Sequence, residues 1–592
     1  MSAPRALSQH AQSAVGPRQL DDGAAGGGSG GQAAGADADV AAAAPRRARG
    51  SAKFRFWHDE RRFKGPADRC IVQQALFDAG GVRTGGYPKC SPLPGPLGHQ
   101  RAGDWDMLWS PARTALKALP ALKPGQLVSA LPGMMSITKK RRLSVTLKQA
   151  YGADAFDLVP LTFSLPSELG AWRAWLDAEA AAGREPGPWM LKTAQHLGMG
   201  LCLLPGEQAF AHALVPRAPA AKPWVLAQRY VADPLLIGGR KFGVRLWVLV
   251  TGAGPLRAYL SDRGLVLFST EGYDAESLSD DGEVDYGEGS DASMGGAAAA
   301  GAAAAAATAT GAGAGAGAGA AAAAAAGGAG RGHVTNYAQN VDGQVWDLDM
   351  LREHLGGAAY DALWSKLVSS AARVVAATLP EVLSEQAKLQ APPNSTFELL
   401  GLDYLVDADH HPWLLEVNGT PSLAVEHSDG GSGMVRDMVS LLGCATRFDA
   451  RYNLLRAAVA KDRAAARRLR GQLAGGGGDD AALALARREV ARRGGFLPLM
   501  PYFDVDGAFT KGYAIPWGAR DFKLAEAMAK GGGPRQPGGG GGSGGKEGGG
   551  GEAGGGGARR AGAAAAGSSS SSSEALLASV RGGTWPMDIG DL

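Results

Sequence analysis

Cysteine is scarce. Four residues, Cys70, Cys90, Cys202 and Cys444, are scattered over 592 positions with no Cys-x-x-Cys pair and no close histidine. That spacing argues against a structural zinc site and a disulfide framework, and it fits a reducing compartment, the cytoplasm. Strongly apolar runs are lacking too. The longest are Ala/Gly tracts, too weakly hydrophobic for a membrane span, so no membrane partner is expected. Up to Ala44 basic residues are sparse and the first acid is Asp21, a composition that reads as a disordered tail rather than a transit peptide. No motif interleaves aromatic and basic residues for nucleic-acid recognition, so nucleic acid is not an expected partner.

Glycine, by contrast, is abundant. Its 90 residues are roughly twice the average usage of about 7%, and many sit in runs that cannot build a core. Residues 1–50 read as a disordered tail and 531–592 as a Gly/Ser-rich one, while an acidic and Ala/Gly insertion at 274–332 interrupts the folded region 51–530. What remains is enough for one large, multi-lobed α/β enzyme. The net charge of +3 is uneven. Asp274, Glu276, Asp280, Asp281, Glu283, Asp285, Glu288 and Asp291 fall together without a base, and setting those eight charges aside turns +3 into +11. A basic folded region suits an acidic protein substrate or nucleic acid, and charge alone does not separate the two.

The most informative stretch is FELLGLDYLVDADHHPWLLEVNGTPSL, Phe397–Leu423. It reads as a β-hairpin with strands at Leu399–Val406 and Trp413–Val417 around a polar turn at Asp407–His411. Pairing Val406 with Trp413 sets Asp403 opposite Glu416, with Asn418 on the face of Glu416. Two carboxylates and an amide oxygen then converge in apolar surroundings. A hard cation such as Mg²⁺ takes that donor set together with substrate phosphates, and acids embedded among Leu, Tyr and Val need a partner.

This string resembles the signature hairpin of the tubulin–tyrosine-ligase-like proteins, ATP-grasp ligases that attach amino acids to tubulin tails. Further segments carry the resemblance. In LPGMMSITKKRRL, Lys140 falls on the family lysine that reaches the nucleotide phosphates. In PWMLKTAQHLGMG, Lys192 ends a strand before a glycine loop with Gly198 and Gly200, suited to close phosphate approach. In WVLAQRYVADPLLIGGRKFGVRLWVLV, Gln228, Arg229, Tyr230 and Val231 match the adenine hinge. The following strand puts Lys241, Gly243 and Arg245 on one face and Phe242, Val244 and Leu246 on the other. His333, Thr335 and Asn336 match a His-x-Thr-Asn motif that contacts nucleotide and ribose. Two positions depart from the family pattern. Gly243 stands where an aspartate is usual, and Leu267 where an arginine directed at the phosphates is common.

The resemblance implies an ATP-grasp fold with N-terminal, central and C-terminal lobes. It implies ATP and Mg²⁺ as cofactors, with Asp403, Glu416 and Asn418 as metal ligands. Lys140, Lys192 and Lys241 serve the phosphates, and Arg245, Lys192 and Glu416 the catalysis. The partners are a free amino acid and tubulin or microtubules through acidic C-terminal tails. A monomer is expected, cytoplasmic and on the cytoskeleton, with cilium, flagellum and basal body as candidate places. Glutamate is the expected amino acid on the family prior, tyrosine and glycine being alternatives. A non-catalytic microtubule-binding pseudoenzyme is the competing class. The segment Asp274–Asp291 resembles a tubulin tail in charge, which suggests cis occupation of the substrate groove or modification of the segment itself. Elsewhere helices are expected at Leu348–His354, Tyr360–Leu379, Ser432–Gly443 and Tyr452–Ala474, and Gly495–Asp504 as a tail packed on the core.

Overall fold

The computed structural model describes residues 54–58, 71–86, 105–123, 125–195, 200–217, 221–275, 284–285, 332, 333, 335, 340, 344–419, 421, 423, 429–444, 447–448, 462–465, 467–468, 479–501, 513, 515 and 519–530. The two terminal tails, most of the 274–332 insertion, most of the helix expected at 452–474, Gly198 and Asn336 lie outside the described residues.

Among the described residues the chain folds as a mixed α/β protein with three sheets. The first is parallel, in the order β2-β1-β3-β4, from β1 (Phe54–His58), β2 (Gly81–Gly86), β3 (Met107–Trp109) and β4 (Leu127–Val128). The second is antiparallel, in the order β12-β7-β6-β8-β5, from β5 (Thr162–Ser164), β6 (Pro188–Thr193), β7 (Leu201–Pro205), β8 (Trp224–Arg229) and β12 (Val284–Asp285). Helices Leu169–Ala181 and Gly206–Leu214 accompany this sheet, and Phe163, Trp172, Trp189 and Trp224 form its aromatic core. Trp172 and Trp189 meet at 5.1 Å between ring centres, a separation typical of attractive aromatic pairs.

The third sheet has seven strands. Its path is β13-β11-β10-β14-β15, made of β10 (Arg240–Ala253), β11 (Leu256–Phe268), β13 (Val345–Trp346), β14 (Glu398–Val406) and β15 (Pro412–Asn418). The short β9 (Leu236–Ile237) adds to β10, and β16 (Phe496–Met500) adds to β11. β10 is central, between β11 and β14, as its run of Val, Leu and Trp requires. Phe242, Val244, Leu246, Val248 and Val250 enter one core with the helix Gly357–Ala376. Trp247 and Leu249 enter a second core with the helix Asp429–Leu441. Lys241, Gly243 and Arg245 share the parity of Trp247 and Leu249, so that face of β10 changes from core to polar at its beginning.

One helical expectation is corrected. Instead of a single helix at Tyr360–Leu379, two helices run Gly357–Ala376 and Leu379–Leu389, separated at Ala377–Thr378. Pro380 lacks an N–H and fits the first turn of a new helix rather than the interior of an old one. This run also corrects the expectation that no stretch is long and apolar enough for a membrane span. Gly357–Leu389 is long and apolar enough to cross a membrane by composition, and 67% of its apolar window is buried inside the fold, where it serves as a core element.

Candidate functional site

A cleft of about 140 Å³ lies where the second and third sheets face each other, walled by residues of β6, β8, β10, β14 and β15. The hairpin supplies its acids. Asp403 pairs with Glu416 as expected, but the route differs: Tyr404 pairs with Leu414, Leu405 with Trp413 and Val406 with Pro412, and the register shifts between Asp403 and Tyr404. The expected Val406–Trp413 pair is therefore corrected by one residue. The cause is the turn. Asp407 accepts hydrogen bonds from the N–H groups of Asp409 and His411 and from Trp413 Nε1, at 3.1, 2.8 and 2.8 Å. These bonds fix the tip register, while the apolar face fixes the register at the root. A bulge at Leu415 absorbs the mismatch and puts both Leu415 and Glu416 on the cleft wall.

Arg245, from β10, faces Asp403 directly across the strands and forks onto it, Nε and Nη2 each donating at 2.6 Å. Asn418 donates its amide to Asp403 at 2.9 Å and to Glu416 at 3.3 Å. Burial raises the pKa of Asp403, reinforced by Glu416 and opposed by Arg245. Burial also acts on Glu416, but Lys140, the Asn418 hydrogen bond, Lys192 and Arg245 outweigh it and hold its carboxyl below the usual range. Among the described residues no group of three or more His, Cys, Asp or Glu gathers. The acids present fit an ion held by two carboxylates that completes its shell from a phosphate-bearing ligand and water. In such a complex the Asn418 amide would turn its oxygen inward, since the drawn orientation follows only the protein's own hydrogen bonds.

The cations come from three separate elements. Lys140 opens the helix Lys140–Tyr151, whose first turn holds no acid. A helix start crowded with bases opposes the dipole, so helix stability does not explain the cluster. Its Nζ donates to the Gln195 carbonyl at 2.6 Å. Lys192, at the end of β6, donates to Gln228 Oε1 at 2.6 Å, and Gln228 Nε2 donates to Thr162 at 2.9 Å. The Gln228 side chain thus anchors a lysine. Burial, then Lys140, lowers the pKa of Lys192 to about 8, and burial, then Lys192, lowers that of Lys241 to about 7.

At the hinge, Arg229 N–H donates to the Leu161 carbonyl and Tyr230 N–H to that of Pro188. Val231 is the first residue beyond these two bonds, and it lines the cleft, as do Met190 and Leu201. The Arg229 side chain is exposed, 5.9 Å from the ring of Trp175. His333 and Thr335 both line the cleft. A Cβ built on Gly243 would come within 2.9 Å of Thr335 Oγ1, so a threonine hydroxyl fills the space a longer residue at 243 would need. Gly243 pairs directly with Leu267 on β11. The two departures from the family pattern thus form one small, uncharged patch. Arg263 plays no part there, being 2.6 Å from Asp437.

The sequence alone left several contributors unseen: the bulge at Leu415, the Arg245–Asp403 fork and the Gln228–Lys192 bond. The fork and the Gln228–Lys192 bond depend on contacts between strands distant in the chain, and the bulge on a conflict of registers within one hairpin. Only the alternation along β10 hinted at any of them.

The Tubulin-tyrosine ligase family model matches residues 120–286 and 333–432, bracketing every element of the cleft. The chain is 25% identical over 353 residues to the human "Probable tubulin polyglutamylase TTLL2", covering 58% of this chain and 51% of that protein. It is 26% identical over 371 residues to the human "Tubulin polyglutamylase TTLL5", covering 58% and 24%. It is also 26% identical over 369 residues to the human "Tubulin monoglutamylase TTLL4", covering 58% and 25%. The matched region thus spans about half or less of these relatives. The part of the chain from 120 to 432 that carries the cleft and its lining strands is thus the part that matches the tubulin-tyrosine ligase family.

Proposed function

We propose that the chain is an ATP-dependent acid–amino-acid ligase of the ATP-grasp type, adding glutamate to carboxylates of acidic tubulin tails. The observation that carries this reading is the meeting of Lys192 and Lys241 with the Asp403–Glu416 pair in one cleft. Cations able to hold phosphates face acids able to hold Mg²⁺. The relatives' names speak for tubulin as substrate and glutamate as the added amino acid. We assign the catalytic region to 51–530 and take the protein to be a cytoplasmic monomer acting on the cytoskeleton.

Carboxylates are poor electrophiles, and activation by ATP supplies the needed leaving group. The tail carboxylate takes up the γ-phosphoryl group as an acyl phosphate, and the amine of a free amino acid displaces phosphate to form an amide. Asp403, Glu416 and Asn418 would hold Mg²⁺, neutralising charge as the phosphoryl group moves. Lys140, Lys192 and Lys241 stabilise the phosphates, and the main chain at 229–231 receives the base. Arg245 spends Nε and Nη2 on Asp403, so we assign Nη1 to the tail carboxylate.

The test is incorporation of labelled glutamate, glycine and tyrosine into purified microtubules with ATP and Mg²⁺, for wild type and Glu416→Gln. Glutamate label that disappears in the variant is the expected result. Label with glycine or tyrosine instead corrects the amino acid alone. A second reading, a non-catalytic microtubule binder, is favoured by the uncharged Gly243–Leu267 patch. Microtubule binding without incorporation of any of the three amino acids would establish it.

A further inference from the structure

Lys241 is 3% exposed, yet it borders the cleft. Neutral groups hold its ammonium: the Tyr230 hydroxyl at 2.8 Å, the His333 carbonyl at 3.2 Å and the Tyr230 ring at 4.2 Å. An ammonium has only hydrogens to give, so the Tyr230 oxygen accepts from it. The phenolic hydrogen faces two acceptors, His333 Nδ1 at 3.0 Å and the Tyr273 hydroxyl oxygen, whose own hydrogen goes to the Ala232 carbonyl; when it bonds Nδ1, His333 is the Nε2–H tautomer. The imidazole is suited to accepting. Burial and then Lys241 lower its pKa to about 4, leaving it neutral at pH 7. Tyr230, His333 and Lys241 are all buried and all border the cleft. Tyr230 also directly follows β8, in the hinge backbone.

We propose that the Tyr230 hydroxyl, oriented by His333, is a positioning group that fixes Lys241 for the anionic end of the nucleotide. One residue then serves both ends of the ligand, its main chain bordering the base and its side chain aiming the lysine. This rests on the cleft being a nucleotide site. It goes beyond that reading by giving the tyrosine side chain a role separate from the hinge. Without the hydroxyl, Lys241 keeps the aromatic ring and the His333 carbonyl but loses the bond that selects its rotamer.

The experiment compares binding of ATP with Mg²⁺, and of adenosine, to the full chain. Tyr230→Phe retains the ring and the backbone and removes one oxygen. ATP affinity is expected to fall about 10-fold or more, the scale of a lost bond to a charged group, with adenosine affinity changed less than about 2-fold. In a Lys241→Met background, Tyr230→Phe should have no further effect on ATP. His333→Leu should lower ATP affinity as well, and His333→Gln, which keeps an acceptor oxygen, should restore it relative to His333→Leu. That pair decides the matter if Tyr230→Phe does not fold. Parallel loss of ATP and adenosine affinity, or unchanged ATP affinity, would overturn the inference while leaving the nucleotide reading intact. Wild-type protein that binds neither ligand would overturn both.

Discussion

At the scale of single residues, the cleft is governed by burial acting on charge. Lys241 and Lys192, lowered to about 7 and about 8, are held in the fold below the ordinary lysine value. Between those values and about 10.4 the unfolded chain therefore binds more protons than the native one. Raising the pH through this window stabilises the ligand-free protein. Anion binding changes in the opposite sense, because it needs the ammonium forms. From pH 7 to pH 9, affinity for ATP is expected to fall while the ligand-free melting temperature rises. Calorimetric titration and thermal scans over the same buffers read both, and an affinity that stays level would remove the two lysines from the phosphate site. The alternation along β10 made Lys241 legible in sequence, and the strand end before the glycine loop made Lys192 so. Their pKa shifts were not, since those depend on walls contributed by other sheets.

At the scale of elements, the hairpin β14–β15 shows how far local pattern carries. Its strands, its turn and the Asp403–Glu416 pairing follow from alternation and turn chemistry. The bulge does not, because it arises from two registers in conflict, each locally sound. Asp407 holds the tip register with three accepted bonds. Asp407→Ala is expected to cost about 2–3 kcal/mol at the usual value of roughly 1 kcal/mol per bond, with the loss concentrated in the hairpin. Hydrogen exchange at His411 and Trp413 should speed up while exchange in β11 holds, and equal acceleration in both would show that the turn does not set the register. The helix break before Pro380 belongs to the same class. Its hydrophobic periodicity runs straight through, and only the missing N–H marks the boundary.

At the scale of the whole molecule, the family match stops at residue 432 but the fold does not. β16 extends the third sheet, and helix Asp479–Val490 delivers Glu489 into the end of the β10–β11 hairpin. There one carboxylate oxygen accepts from Thr251, Arg257 and Tyr259 at 3.0, 2.9 and 2.7 Å. Arg257 is 1% exposed, and stranding a buried charge typically costs about 3–5 kcal/mol. Glu489→Leu should therefore lower the melting temperature sharply even though it lies far outside the matched region, and an unchanged melting temperature would show this segment to be dispensable. Sequence could suggest that Gly495–Asp504 packs on the core, but not that it becomes a strand. β12 raises a different matter. Two residues of the acid-rich insertion lie along the outer edge of β7, and an open strand edge is a template on which a second copy can align. By sequence the segment from 274 to 291 carries eight acids and no base, so two copies meeting through this insertion carry like charge and are expected to repel. The insertion thus has a colloidal consequence: it favours separate molecules over fibres at the concentrations at which such a protein is made.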